Sequence, residues 1–86
     1  MLNNKTILIT GGTGSFGKAF VHYLFQNYPK IKKIVIFSRD EQKQHHMSSE
    51  FSSKEYPIKY LLGDVRDSGR MNEVTRGIDI IVHSAA

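Results

Sequence analysis

The sequence predicts an α/β protein: half of a Rossmann-type doubly wound parallel sheet with strand order 3-2-1-4. Three observations lead there. Four short apolar runs alternate with three stretches of helical character, the β-α-β-α-β-α-β pattern of strands joined by crossovers. Ile34 to Phe37 are continuously apolar, as in a strand buried on both faces of a parallel sheet. The first apolar run also leads directly into Gly11-Gly12-Thr13-Gly14-Ser15-Phe16-Gly17, after which helical spacing begins.

The first strand is expected from about Lys5 to Thr10. A helix from about Ser15 to Asn27 follows, with Phe16, Ala19, Phe20, Tyr23 and Leu24 at i, i+3, i+4, i+7 and i+8 as the stripe facing the sheet. Pro29 and the lysines after it end that helix. The second strand is Lys33 to Phe37. A second helix, about Asp40 to Phe51, carries only the thin stripe Met47 and Phe51, so it should be the more exposed one. Ser38 and Glu41 have the S-x-x-E spacing of a capping box and mark its start. Pro57 opens a third strand, Ile58 to Leu62, closed by Gly63-Asp64. Asp67 or Ser68 caps a short third helix bearing Met71 and Val74, which Gly77 stops. The last strand is Asp79 to His83. Right-handed crossovers place the first two helices on one face and the third on the other. The second half of such a sheet is missing, so the fourth strand should be an exposed edge beside which only the third helix lies. An isolated chain of this kind is expected to associate.

Eighty-six residues suffice for one small domain, 1–86, with 40% hydrophobic and 23% charged residues. No apolar run approaches the length of a membrane span. The amino terminus lacks the layout of a secretory signal, and the absence of cysteine suits a reducing cytoplasm. The formal charge is +4, but the twelve Lys and Arg are spread along the chain. Only Lys30-Ile31-Lys32-Lys33 clusters, which reads as a solvated loop, so no nucleic-acid partner is expected. A phosphate-bearing small ligand fits the mild positive balance. His45 and His46 are adjacent and diverge on a helix, so they cannot form an i, i+4 metal pair. His22 and His83 are isolated, and no metal site is expected.

The glycine turn reads as the pyrophosphate cradle of a dinucleotide-binding βαβ unit. Gly11 makes the tight turn off the strand. Gly14 lets the backbone approach a phosphate oxygen, and Gly17 lets the helix pack on the sheet. The helix start offers N–H groups and partial positive charge, and Thr13 and Ser15 add hydroxyls. The competing reading is a glycine-rich turn that binds nothing.

The dinucleotide is chosen at the end of the second strand. An acidic residue there accepts from a ribose 2′-hydroxyl, whereas an Arg suits a 2′-phosphate. Arg39 lies at that place, with Lys43 one helical turn on and Ser38 as a hydroxyl donor, which predicts NADP. Asp40 and Glu41 would suit NAD, and Ser38 as a mere cap with a solvated Arg39 is the plainer alternative. At the end of the third strand, Asp64 is expected to accept from an adenine amino group with Val65 on the ring, or else to be a turn residue only. Ser84-Ala85-Ala86 ends the fourth strand where small residues let a cofactor ribose pass close to the backbone.

Taken together, TGGTGSFG at 10–17, FSRDEQKQ at 37–44, GDVRD at 63–67 and HSAA at 83–86 resemble the extended short-chain dehydrogenase/reductases, in particular the inverting UDP-N-acetylglucosamine 4,6-dehydratases. The resemblance implies cofactor contacts at Thr13, Gly14, Ser15, Phe16, Ser38 to Lys43, Asp64, Val65 and Ser84. It implies a lyase of bacterial polysaccharide or flagellin-glycan synthesis, acting on a nucleotide sugar, with a homo-oligomer as the full-length form. Such an enzyme oxidises the sugar's 4-hydroxyl, eliminates water across carbons 5 and 6, and returns the hydride to carbon 6. The family's Tyr general base and its Lys fall beyond residue 86, so the chain reads as a cofactor-binding fragment with no catalytic residue of its own. A nucleotide-sugar epimerase or reductase of the same superfamily is the near alternative. A non-catalytic NADP(H)-binding module and a ligand-free structural fragment belong to other classes.

Overall fold

The computed structural model describes residues 1–11 and 13–84. Its element order is β1 (Thr6–Thr10), α1 (Ser15–Asn27), β2 (Lys33–Ser38), α2 (Glu41–Ser48), β3 (Ile58–Leu62), α3 (Ser68–Val74) and β4 (Ile80–His83). The four strands form one parallel sheet in the order β3-β2-β1-β4, as the alternation predicted. Ile7 stands beside Ile34 and Ile80, and Ile34 beside Ile58, so apolar residues meet in rows across the sheet. All five residues of β1 are buried, as are five of the six in β2, because helices cover both faces of these central strands.

Strand alternation divides the apolar residues between two cores. On one face Ile7, Ile9, Ile34 and Ile36 pack with Val21 and Leu24 of α1 and Met47 of α2. On the other, Leu8, Val35 and Phe37 pack with Val74 of α3. That division matches the predicted crossovers, but α3 lies over the β1-β2-β3 side. Ile81 of β4, beside Leu8 in the register, is 53% exposed.

Helix α1 has the predicted ends and a different buried face. Its buried residues are Gly17, Val21 and Leu24 at i, i+4 and i+7, while Ala19 is exposed, Phe16 is 61% exposed and Tyr23 is 51% exposed. Phe20 is half-buried, and Phe16 stacks on it at 5.7 Å between centroids. The helix is apolar on more than half its girth, so periodicity alone admits two rotations. Gly17 selects the one that brings the backbone against the sheet.

The start of α2 also departs from expectation. Asp40 is the N-cap, its Oδ1 accepting from the backbone N–H of Lys43 at 3.0 Å. Ser38 belongs to β2 and is buried, so the capping box of Ser38 and Glu41 does not form. The regular helix ends at Ser48, short of Phe51. The Ser48 and Ser49 hydroxyls donate to the carbonyls of His45 and His46, both at 2.6 Å, and compete with the helical ladder. Phe51 is still buried through the turn that follows, with Met47, as its sequence position implied. Asp67 caps α3, donating nothing and accepting from the Arg70 N–H at 3.0 Å. Gly77 follows with a left-handed φ of +74°. Among the described residues, no helix is long and apolar enough to cross a membrane.

Candidate functional site

The carboxyl ends of all four strands open into one cleft of about 560 Å³. Gly11 follows β1; Phe37 and Ser38 end β2; Gly63 and Asp64 follow β3; His83 and Ser84 close β4. Ligands of open α/β sheets bind in this crevice, where crossovers leave in opposite directions from neighbouring strands.

Two glycines shape the floor. Gly11 has φ +67°, and a Cβ there would collide with the Ser84 carbonyl oxygen. Its N–H donates to the Phe37 carbonyl at 2.9 Å, so β1, β2 and β4 converge on it. Gly63 lies against the Phe37 ring, which a Cβ would meet at 2.5 Å. Gly14 differs: it is the N-cap of α1, has no side-chain cap, and a Cβ there would meet nothing within 4 Å. The space beside that helix start is open, as a phosphate seat requires.

Of the residues singled out in the sequence, Gly11, Thr13, Ser38, Arg39, Asp40, Lys43, Asp64, Val65 and Ser84 line the cleft. Gly14, Ser15 and Phe16 lie at the start of α1 outside its lining, and Gly17 is buried under the helix. Glu41 is exposed on the first turn of α2 and is not brought to the cleft. Gly12, within the glycine motif, lies outside the described residues, as do Ala85 and Ala86 of the HSAA motif.

The charged rim is organised around Asp64. Its Oδ1 accepts from the backbone N–H of Arg66 at 2.9 Å, a turn closed by the side chain two residues back. The Arg66 guanidinium grips the same carboxylate, with Nε at 3.1 and 3.2 Å and Nη2 at 2.8 Å. Arg39 Nη1 approaches Oδ2 at 3.6 Å. The Arg66 side chain, then its backbone N–H, hold the Asp64 carboxyl well below the usual carboxylate range. Asp64 therefore has the turn role that its sequence position allowed. Arg39 is not simply solvated: it is 70% exposed and rests against that carboxylate.

Three participants were not anticipated. Gln44 is buried, and its Nε2 donates to Ser38 Oγ at 2.9 Å and to the Leu61 carbonyl at 2.7 Å, tying α2 to the ends of β2 and β3. His83 lines the cleft, and its Nδ1 is hydrogen-bonded to the buried Thr10 hydroxyl, joining the ends of β1 and β4. Arg70 donates to the Leu62 carbonyl from Nε at 3.2 Å and Nη2 at 3.0 Å, and lies 5.9 Å from the Phe37 ring centre. The available signal was positional. His83 follows the last apolar residue of its strand, and Gln44 falls three residues before Met47 on the inward side of α2. Among the described residues no group of His, Cys, Asp or Glu could hold a metal ion.

A parallel sheet in the order 3-2-1-4, with a glycine turn opening at the carboxyl end of its central strand β1, defines a Rossmann-type doubly wound α/β fold. Within that class, the model of a polysaccharide biosynthesis protein family matches residues 7–86, and the chain belongs to this family. It is 52% identical over 86 residues to the UDP-N-acetylglucosamine 4,6-dehydratase (inverting) of Campylobacter jejuni subsp. jejuni serotype O:23/36 (strain 81-176), covering all of this chain and 25% of that protein. It is 43% identical over 88 aligned residues to the UDP-glucose 4-epimerase of Rickettsia bellii (strain RML369-C), again over all of this chain and 25% of that protein. Among solved structures, the dTDP-glucose 4,6-dehydratase of Bacillus anthracis in complex with NAD superposes with a TM-score of 0.80 at 27% identity, over 95% of this chain and 27% of that one. Pen from Bacillus thuringiensis superposes with a TM-score of 0.88 at 36% identity, over 99% and 26%. The chain thus spans about a quarter of the length of the curated relatives it matches.

Proposed function

We propose that this chain is the NADP-binding part of a nucleotide-sugar 4,6-dehydratase of the inverting UDP-N-acetylglucosamine type, a lyase serving bacterial polysaccharide or flagellin-glycan synthesis in the cytoplasm. The observation that carries the cofactor assignment is the end of β2: Ser38, Arg39 and Lys43 line one wall of the cleft that Gly11 floors. The residues fit such a group. Three cations, Arg39, Lys43 and Arg66, line the cleft with two carboxylates, Asp40 and Asp64, and one carboxylate is already engaged by Arg66.

In this reading Gly11, Thr13, Gly14, Ser15 and Phe16 form the diphosphate seat at the start of α1, and the buried Gly17 lets the helix pack close behind it. Glu41, which the fold keeps out of the cleft, takes no part, and Ser38, Arg39, Asp40 and Lys43 surround the adenosine ribose. Arg39 and Lys43 supply positive charge to its 2′-phosphate, and an arginine fork suits that group geometrically. Asp64 and Val65 flank the adenine, and Ser84 lets the chain pass close to the second ribose. Gln44 acts beneath them by fixing the Ser38 hydroxyl. A dinucleotide held there would supply reversible hydride transfer through its nicotinamide. The chain's own residues bind and orient that group; the acid-base residues and the sugar-nucleotide pocket belong to the rest of a full-length protein, expected to be a homo-oligomer.

Calorimetric titration of NADP+ and NAD+ tests the assignment. NADP+ should bind more tightly, and Arg39→Ala should weaken NADP+ by about tenfold, or about 1.4 kcal/mol, with a smaller effect on NAD+. Equal or absent binding of the two would count against it. The similarity to UDP-glucose 4-epimerases keeps a second reading in view. Incubating a full-length protein with UDP-N-acetylglucosamine separates them, since a dehydratase yields a 4-keto-6-deoxy sugar and an epimerase only the inverted 4-hydroxyl.

A further inference from the structure

Beside the main cleft lies a second hollow of about 240 Å³ between the start of α1 and the first two turns of α2. It is lined by Thr13, Lys18, Gln42, Lys43 and His46. Every lining side chain is polar, three carry or can carry positive charge, and none is a carboxylate. Lys18 comes from α1 and the other two bases from α2, so the hollow is built between elements rather than along one surface. Thr13 and Lys43 line both hollows and stand between them.

The ion pairs sharpen the contrast. Arg39 and Arg66 both rest on Asp64, so two of the three cations of the main cleft are partly neutralised. Among the described residues, Lys18, Lys43 and His46 form no ion pair. Bringing like charges together without a counter-charge is unfavourable, and a bound anion relieves it.

We propose that this hollow between α1 and α2 is a binding subsite for a dianionic phosphate group, with Lys18 and His46 as ligand-recognising residues alongside Lys43. The inference deepens the dinucleotide reading and rests on it where the phosphate is the 2′-phosphate of the same ligand. Lys43 then joins two groups of cations, Arg39 on one side and Lys18 with His46 on the other. Selectivity for the phosphorylated dinucleotide would be shared between the end of β2 and the first helix. A free inorganic phosphate offers the same chemistry and is the other source.

Two measurements on the 86-residue chain decide the matter. The first is calorimetry of NADP+ and NAD+ with the wild type and with Lys18→Ala/His46→Gln. The second is an NMR titration with inorganic phosphate that follows the His46 ring signals. The expected result is a loss of NADP+ affinity of about tenfold in the variant, with NAD+ changed less than about twofold. Unchanged selectivity, with saturable phosphate shifts at His46 that Lys18→Ala abolishes, supports the subsite with free phosphate as its ligand. Unchanged selectivity and no saturable shift overturn the proposal. If neither dinucleotide binds, the cofactor reading fails by itself, and the phosphate titration still decides whether the hollow holds an anion.

Discussion

Asp64 concentrates the electrostatics of the cleft in one carboxylate. Arg66 clamps it through two guanidinium nitrogens and its own backbone N–H, and Arg39 approaches from the next strand. These partners favour the charged form, so the folded-state pKa lies below the unfolded one. A depressed carboxyl contributes stability above its unfolded value of about 3.9 and loses it as the pH falls toward the folded value. The Asp64 side-chain carboxyl signal in wild-type protein should therefore titrate below that value. In Arg66→Ala it should move up toward it, and the acid limb of the stability profile should lose part of its slope. An unmoved Asp64 titration would show that the clamp does not form in solution. This residue also marks the limit of what the sequence conveys at the site. A carboxylate after a strand-ending glycine was legible as cleft-facing. That Arg66, two residues on, would turn back onto it was not, because a local side-chain turn has no periodicity to betray it.

At the scale of elements, the helices test how a stripe is chosen. Thirteen residues of α1 contain Phe16, Ala19, Phe20, Val21, Tyr23, Leu24 and Phe25, more apolar girth than one sheet contact requires. Burial falls on Gly17, Val21 and Leu24, leaving Tyr23 half out in solvent. Leu24→Ala should cost about 2–5 kcal/mol, since Leu24 is fully buried in the larger core. Tyr23→Ala should stay within about 0.5–1 kcal/mol, being a surface change with little packing to lose. Chemical denaturation of both variants checks this, and comparable losses would mean that the helix is rotated toward the stripe read from spacing. Strand identities, their order and the α1 and β3 limits were legible because period and turn chemistry agree there. The start of α2 was not, because Ser38 and Asp40 are both good caps. The choice depends on Gln44 drawing Ser38 into the sheet's end, a tertiary contact that no local pattern reports.

At the scale of the molecule, the sheet has two open sides. β3 pairs only with β2, and β4 only with β1, among the described residues. The β4 side is the more consequential. Its backbone groups on the outer side have no strand partner there, and Ile81 is 53% exposed on the face that α3 leaves bare. An edge that is both apolar and unpaired templates pairing with another chain, and nothing on β4 carries the Lys or Pro that blunts such edges. In the short-chain dehydrogenase/reductase reading, further strands would continue the sheet from this side. The isolated 86-residue chain should therefore associate through it. Size-exclusion elution should shift earlier with concentration, and a hydrophobic dye should bind. Ile81→Lys replaces the exposed apolar side chain with charge and should raise the concentration for half-association by about tenfold or more, equivalent to about 1.4 kcal/mol. The cleft lies at the carboxyl ends of the strands and Ile81 in mid-strand, so the substitution should leave dinucleotide affinity within about twofold, provided His83 and Ser84 keep their bonds to Thr10. A concentration-independent monomer peak from the wild-type chain, with no dye bound, would mean that the β4 edge does not template pairing.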